Sequence, residues 1–345
     1  MKDSQFRFPL FKALSVLALL ASSQLLQGAP TANWSSSPPE LPTELVRATG
    51  VYFPANGRFY VMGGRTSDAF GSEMTTPYEY NPKTNAWAFK TAPLPDNQVC
   101  NMACGVLNAG KIPYIYCVGG NTGGGAVTST PRVFRYDPIA DRVETLGIDP
   151  WNEKAPNTVP GGFAVVQNKL YILGGLTITS EATNRIFEFN PENAVGSQWT
   201  QKSATLPVGL AYIPATAIGS LIFTAGGSTF VPCNLTDTNH SFVYDPVKDV
   251  VSPIASIPRA TGETHAVTVG HEMWVVGGGR TAPNPGPVVN IYDSLTGEWR
   301  TGPSLSAGQR NFAAASDGSH VLVAGGYSPT VAPTKTALIL RDSSR

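Results

Sequence analysis

In 345 residues there are 24 basic and 24 acidic side chains, so the chain carries no formal net charge, and only 14% of its residues are charged. That balance excludes a nucleic-acid partner, which would need a basic stripe, and a polybasic membrane patch is missing too. With 42% hydrophobic residues, 35 Gly and 29 Pro, the composition is that of an ordered protein broken by many turns.

Lys2, Arg7 and Lys12 precede an apolar run from Ala13 to Leu26, and the small residues Gly28 and Ala29 follow. Basic, then apolar, then small is the order of a secretory signal, and the run is shorter than the ~20 residues a spanning helix needs. Residues 1–29 are therefore expected to be a signal peptide, cut between about Ser23 and Ala29. The protein would then be secreted or periplasmic, and residues 30–345 would form a single domain with no membrane span.

The chain next enters a repeating plan, complete for the first time over residues 47–95. An opening strand precedes Arg58, an apolar run ends in Gly63-Gly64, and a polar loop follows; a strand ends in Tyr80-Asn81-Pro82, and another carries Trp87 before Leu94-Pro95. Runs rich in Tyr, Val and Phe that stop at Gly-Gly or Asn-Pro read as β-strands, because Gly supplies positive φ and Pro removes a ladder donor. The doublets recur at Gly63, Gly119, Gly174, Gly226, Gly277 and Gly325, in steps of 56, 55, 52, 51 and 48 residues. The second landmark returns as Tyr136-Asp137-Pro138, Phe189-Asn190-Pro191, Tyr244-Asp245-Pro246 and Tyr292-Asp293. The third returns as Trp199 and Trp299, with Val143 and Val251 in its place in the second and fourth copies.

The period near 50 residues, the apolar strand ending in Gly-Gly and the Tyr-Asp-Pro…Trp tail together resemble the kelch repeat family. The resemblance covers nearly all of the chain after the signal and implies an all-β, six-bladed β-propeller. Trp34 and Leu41-Pro42 are the tail of a repeat that lacks its first three strands, while residues 311–342 supply three strands with no Trp strand behind them. Residues 32–42 are thus expected to give the last blade its outer strand, closing the ring and protecting sheet edges that an open array would expose. A monomer is expected.

Because strands alternate in direction, the second-to-third-strand loops and the blade-to-blade connections emerge on one face. These loops are long, over 65–76, 121–131, 176–184, 228–240, 279–287 and 327–334, whereas the opposite turns are short. Functional variety belongs on long loops held by a rigid frame. Repeat alignment gathers Arg47, Asn101, Tyr212, Glu263, His265, Arg310 and Asn311 around the channel mouth on that face. Such a ring either binds an anionic or sugar ligand or simply satisfies water and backbone in the channel. Trp151, off the repeat register in the connection 149–157, either stacks on a ligand or covers the neighbouring blade.

Glu263 and His265 alternate on one strand and share a face, so they could do acid and base work. The layout is also similar to that of the exported N-acetylneuraminate epimerases, six-bladed kelch propellers that exchange sugar anomers. Arg310, opening the last blade, matches their final repeat, whereas the long insert bearing their acid–base Glu has no counterpart here. Glu263, His265 and Arg310 are the candidate catalytic residues of that reading. With four His and no Cys-x-x-Cys or close His pair, no metal is expected. No nucleophile elbow or phosphate loop occurs, and no cofactor is expected.

Cys104 and Cys117 flank the turn at 108–111 and fall opposite each other in a hairpin centred there, either as a disulfide of an exported protein or as two buried thiols. Cys100 and Cys233 lie on long-loop-face segments of different blades. Asn33, Asn234 and Asn239 open Asn-x-Ser/Thr triplets, which are glycan acceptors only in a eukaryotic secretory pathway. The leading expectation is an exported module that binds a protein or a glycan through Arg47, Asn101, Trp151, Tyr212 and Asn311. A sugar isomerase and a cell-surface structural module are the other readings.

Overall fold

The computed structural model describes residues 34–35, 38–122, 129–152, 158–177, 181–231, 234–280 and 284–341. Their regular structure is all β, in six four-stranded sheets and one two-stranded ribbon. A lone strand β1 (Trp34–Ser35) precedes the first blade, β2 (Thr49–Phe53), β3 (Arg58–Met62), β4 (Tyr78–Asn81) and β5 (Ala86–Phe89). Blade 2 is β6 (Ala103–Ala109), β7 (Ile112–Val118), β8 (Val133–Asp137) and β9 (Arg142–Glu144). Blade 3 is β10 (Thr158–Val166), β11 (Lys169–Thr177), β12 (Ala182–Phe189) and β13 (Trp199–Thr205). In blade 4, β14 (Ala215–Ile218) and β15 (Leu221–Ala225) are followed by a ribbon, β16 (Ser228–Val231) and β17 (Asn234–Asp237), before β18 (Ser241–Asp245) and β19 (Val250–Pro253). Blade 5 is β20 (Ala266–Val269), β21 (Glu272–Val276), β22 (Val289–Asp293) and β23 (Glu298–Thr301), and blade 6 has β24 (Ala313–Ser316), β25 (His320–Ala324) and β26 (Ala337–Arg341).

Each blade is an antiparallel meander. The first strands of neighbouring blades pack together around the central channel, and fourth strands such as β5 and β23 are largely exposed. The sixth sheet has the order β1-β26-β25-β24, with Trp34 opposite Leu340 and Ser35 opposite Ile339. The expected closure of the ring by the segment around Trp34 is therefore present.

Apolar wedges between blades hold the ring together. Phe53, Tyr60 and Met62 of blade 1 bury against Ile115, Phe134 and Tyr136 of blade 2, and full burial of each such side chain contributes about 1.5–3 kcal/mol. The Gly-Gly doublet sits where the entry to the next blade crosses. A Cβ at Gly63 would lie 2.2 Å from the Val99 carbonyl oxygen, at a φ of 63°.

The repeat Trp has a definite task. Trp34, Trp87, Trp199 and Trp299 donate their indole N–H to the carbonyls of Pro303, Pro39, Asp149 and Ala255, each on the segment leaving the preceding blade. Blades 2 and 4 carry Val143 and Val251 instead, and an aspartate two residues earlier performs the same stapling. Asp141 accepts from Thr91 and Ala92, just past the last strand of the preceding blade, and Asp249 from Ser203 and Ala204, within the last strand of the preceding blade.

Trp151 is not a ligand platform. It is 2% exposed and fills the wedge between blades 2 and 3, edge-on to Phe187 and tilted against Trp199. Residues 228–240, expected as a loop, contain the ribbon β16–β17. Cys104 and Cys117 lie directly opposite on β6 and β7, joined as a disulfide with a Cα separation of 4.2 Å. Cys100 is a buried thiol, which burial pushes up to about 11. Asn234 and Asn239 are exposed. Cys233, Asn33 and the expected signal segment lie outside the described residues.

Candidate functional site

In five blades the residue that turns the chain into the inner strand has a left-handed backbone: Arg47 (φ 59°), Asn101 (56°), Tyr212 (49°), Glu263 (51°) and Asn311 (53°). For residues with a Cβ this costs roughly 1–2 kcal/mol each, so something must hold the turns. Part of the answer is a girdle of backbone hydrogen bonds running round the mouth. The Asn101 N–H donates to the Arg47 carbonyl at 2.9 Å, Arg47 to Asn311 at 2.7 Å, and Asn311 to Glu263 at 2.7 Å. The girdle links blades 5, 6, 1 and 2 and stops at blade 3. There β10 runs straight through the mouth, Val159 opposite Leu176 and Pro160 opposite Gly175, and Pro160 has no N–H to give.

A second tier stands above the first. Arg65, Asn121, Ser228 and Tyr327, each directly after a glycine doublet, form single bridges with Val46, Cys100, Ala211 and Arg310. Tyr327 is the hub. Its hydroxyl accepts from Arg65 at 3.1 Å and donates to Asp68, and the Arg310 and Arg47 guanidinium carbons lie 4.8 and 5.7 Å from its ring centroid, within cation–π range. Glu263, 2% exposed, accepts from Arg310, from Arg280 at 3.1 Å and from Asn311 Nδ2 at 2.9 Å. Asn101 Nδ2 donates to Asn121 Oδ1 at 2.8 Å. Arg65 pairs with Asp68, but among the described residues no carboxylate lies within ion-pair distance of Arg47, and its Nε has no partner.

Arg47, Asn101, Tyr212, Glu263, His265 and Asn311 all line one cavity of about 40 Å³ at the mouth. A larger cavity of about 340 Å³ opens below it, lined by small residues of the inner strands such as Gly50, Ala215, Ala266 and Ala314. Phe163, Ile213 and His265 border both and form the layer between them. Arg310 stands outside the small cavity, against Glu263, and Trp151 is not among its walls. Repeat alignment missed Arg65, Asp68, Arg280 and Tyr327. The available signal for Arg65 and Tyr327 was the position following the doublet, which projects over the mouth in four blades.

The Kelch motif family model matches residues 55–91. Kelch-like protein 35 of Mus musculus is 31% identical over 141 residues, 40% of this chain and 20% of that protein. Kelch-like protein terF of Aspergillus terreus is 23% identical over 271 residues, 76% of this chain and 56% of that protein. The chain thus spans 20% and 56% of the lengths of these two relatives. The structure of YjhT matches with a TM-score of 0.67 at 15% identity, covering 88% of this chain and 96% of that one. The chain is a kelch-repeat β-propeller.

Within this kelch propeller the two acid–base candidates are poorly disposed for proton transfer. The Glu263 oxygens are already occupied by two guanidinium groups and an amide. Burial pushes the His265 imidazole down to about 4, against a hydrogen bond to the Ala48 backbone that works the other way. Its ring lies between Phe163 and Phe312, at centroid distances of 6.2 and 6.3 Å. On the short-turn side of the molecule His271, Glu272 and Asp293 bring donor atoms within 4.8 Å of one another. The Glu272 carboxylate there is engaged by Arg300 at 2.6 Å and by the Trp274 indole at 3.1 Å. No helix among the described residues is long and apolar enough to cross a membrane.

Proposed function

We propose that this propeller is an exported binding module whose long-loop face captures a protein or a glycan around the channel mouth. Kelch propellers are generally protein-interaction modules, and the family match supports that class. One observation carries the reading. The mouth concentrates arginine, tyrosine and asparagine at the rim of a rigid ring, while Glu263 and His265 are tied up in ways that support binding rather than turnover. The isomerase alternative needs a carboxyl group free to exchange a proton, and Glu263 is fixed by three donors.

Probing a glycan array and a set of extracellular proteins with the purified protein tests this. Capture that falls at least tenfold when the exposed loop 67–71 is replaced by a Gly-Ser linker, with no accelerated anomer exchange of any bound sugar, is expected. Anomer exchange abolished by Glu263→Gln at unchanged melting temperature would instead establish the isomerase.

A further inference from the structure

Blade 2 lacks the indole that staples four of the other blades, and the place of that indole stays open. Val143 stands opposite Tyr136 on the third strand, just as Trp87 stands opposite Tyr80, Trp199 opposite Phe189 and Trp299 opposite Tyr292. The carbonyls that accept the four indole N–H groups are those of Pro39, Asp149, Ala255 and Pro303, and each lies two residues before a buried apolar side chain, Leu41, Trp151, Ile257 or Leu305. The same count from the buried Leu94 marks the Ala92 carbonyl as the acceptor an indole in blade 2 would have. Among the described residues nothing donates to it. Asp141 does not take its place, because the carboxylate accepts from the donor groups of that segment, at Thr91 and Ala92, and leaves the carbonyl free. Blade 4 differs, since its corresponding residue, Ala204, lies inside β13.

What remains at the joint of blades 1 and 2 is a groove of about 610 Å³, walled on one side by residues 92–95 and on the other by Asp141, Arg142 and Val143. That volume is within the range of about 300–1,000 Å³ typical of small-molecule pockets. Pro93 and Pro95 have fixed φ and hold their wall in shape, so filling the groove orders little. Arg142, paired with Glu144 at 2.5 Å and with its side chain 62% exposed, lines the edge, where a guanidinium can meet the face of an aromatic ring. An apolar occupant without a donor would strip water from the Ala92 carbonyl and leave it unpaired, which is costly. An indole brings a flat apolar body and a single N–H, and so satisfies both parts of the wall. All six Trp of the sequence are already placed, four as staples and Trp151 and Trp274 buried, so a second copy of this chain has none to offer.

We propose that this groove is a docking site for a tryptophan side chain of a partner protein, whose indole lies against Val143 and Leu94 and donates its N–H to the Ala92 carbonyl. The partner thereby completes from outside the staple that Trp34, Trp87, Trp199 and Trp299 complete from within. Large aromatic area with one polar handle is what makes tryptophan a frequent anchor at protein interfaces. The groove shares no lining residue with the cavity at the channel mouth, so the site stands or falls apart from the long-loop reading.

The test uses the whole purified protein and three acetylated, amidated peptides of sequence Gly-Ser-X-Ser-Gly, in which X is tryptophan, 1-methyltryptophan or phenylalanine. In NMR titrations of isotope-labelled protein, the tryptophan peptide should shift the Ala92 carbonyl carbon and the amides of Leu94 and Val143. Its affinity should exceed that of either twin roughly fivefold, the worth of one hydrogen bond. Val143→Trp restores the repeat residue that four blades already carry, so it should fold with a melting temperature no lower than the parent's and bind the tryptophan peptide at least tenfold more weakly. Should that variant fail to fold, the shifts mapped on the unaltered protein decide alone. Equal affinity for the tryptophan peptide and either twin, no binding, shifts confined to other residues, or a folded Val143→Trp protein that binds as before would each overturn the docking site. Replacing loop 67–71 should leave peptide binding intact, whereas its loss would place the peptide on the long-loop face, overturning the groove and leaving the binding reading in place.

Discussion

Asp141 holds two blades together through hydrogen bonds that only its charged form can accept fully. Burial works against that form, but the Thr91 amide and hydroxyl, the Tyr136 hydroxyl and the Ala92 amide pull its carboxyl down to about 2. The folded state therefore favours the ionised group above the unfolded value near 3.8, and that stabilisation is lost as pH falls through about 2. Asp141→Ala should cost about 1–2 kcal/mol at neutral pH, the side chain being partly exposed. In urea melts the gap between the two proteins should close by about pH 2; a gap unchanged there would show that the aspartate works by shape alone. His265 pushes stability in the same direction within a higher window, though here it is the neutral form that folding favours. Its imidazole gains a proton near 6.5 when unfolded and near 4 when folded, so the unfolded chain binds more protons between those values and stability falls as pH is lowered across them. The loss should amount to about 2–3 kcal/mol, and His265→Asn should flatten that limb of the stability curve. An identical acid limb in both proteins would mean that the cavity water already solvates the ring.

At the level of strands and turns, the sequence was legible wherever the same physical need recurs. Glycine doublets, Tyr-Asp-Pro turns and the closing strand at Trp34 could be read because each copy solves the same packing problem with the same residue types. The Trp position was harder, since Val143 and Val251 look like losses. Their partner residues Asp141 and Asp249 sit two places earlier, and only the structure reveals that a carboxylate has replaced an indole. The ribbon β16–β17 was hidden because its strands are short and lie inside a polar stretch. Trp151 was ambiguous for a different reason, as burial depends on which neighbours surround it and nothing local fixes them. The closing strand invites its own experiment. Trp34→Ala should lower stability by about 2–3 kcal/mol, less than the cost of a fully buried Trp because its ring is only half-buried. Amide exchange should accelerate first in β26, and uniform exchange across all six blades would argue that the ring has no preferred point of opening.

For the molecule as a whole, the candidate site was readable as a set of residues but not as a geometry. Repeat alignment brought seven positions to one mouth, six of which line the cavity, yet it could not tell which carboxylates were already paired. It also gave no sign that the girdle breaks at blade 3, because that break comes from β10 continuing straight past Pro160 rather than from any change of residue at a marked position. Each staple, indole or carboxylate, reaches backwards to the blade before it, and the last blade waits for Trp34. The two halves of the final clasp therefore leave the ribosome about 300 residues apart. Until residues 337–341 emerge, every earlier blade is secured by its successor while the ring itself stands open, its two free sheet edges facing each other. A chain cut short before β26 would carry both edges unsheltered, which makes the emergence of β26, rather than any earlier blade, the step that seals the propeller.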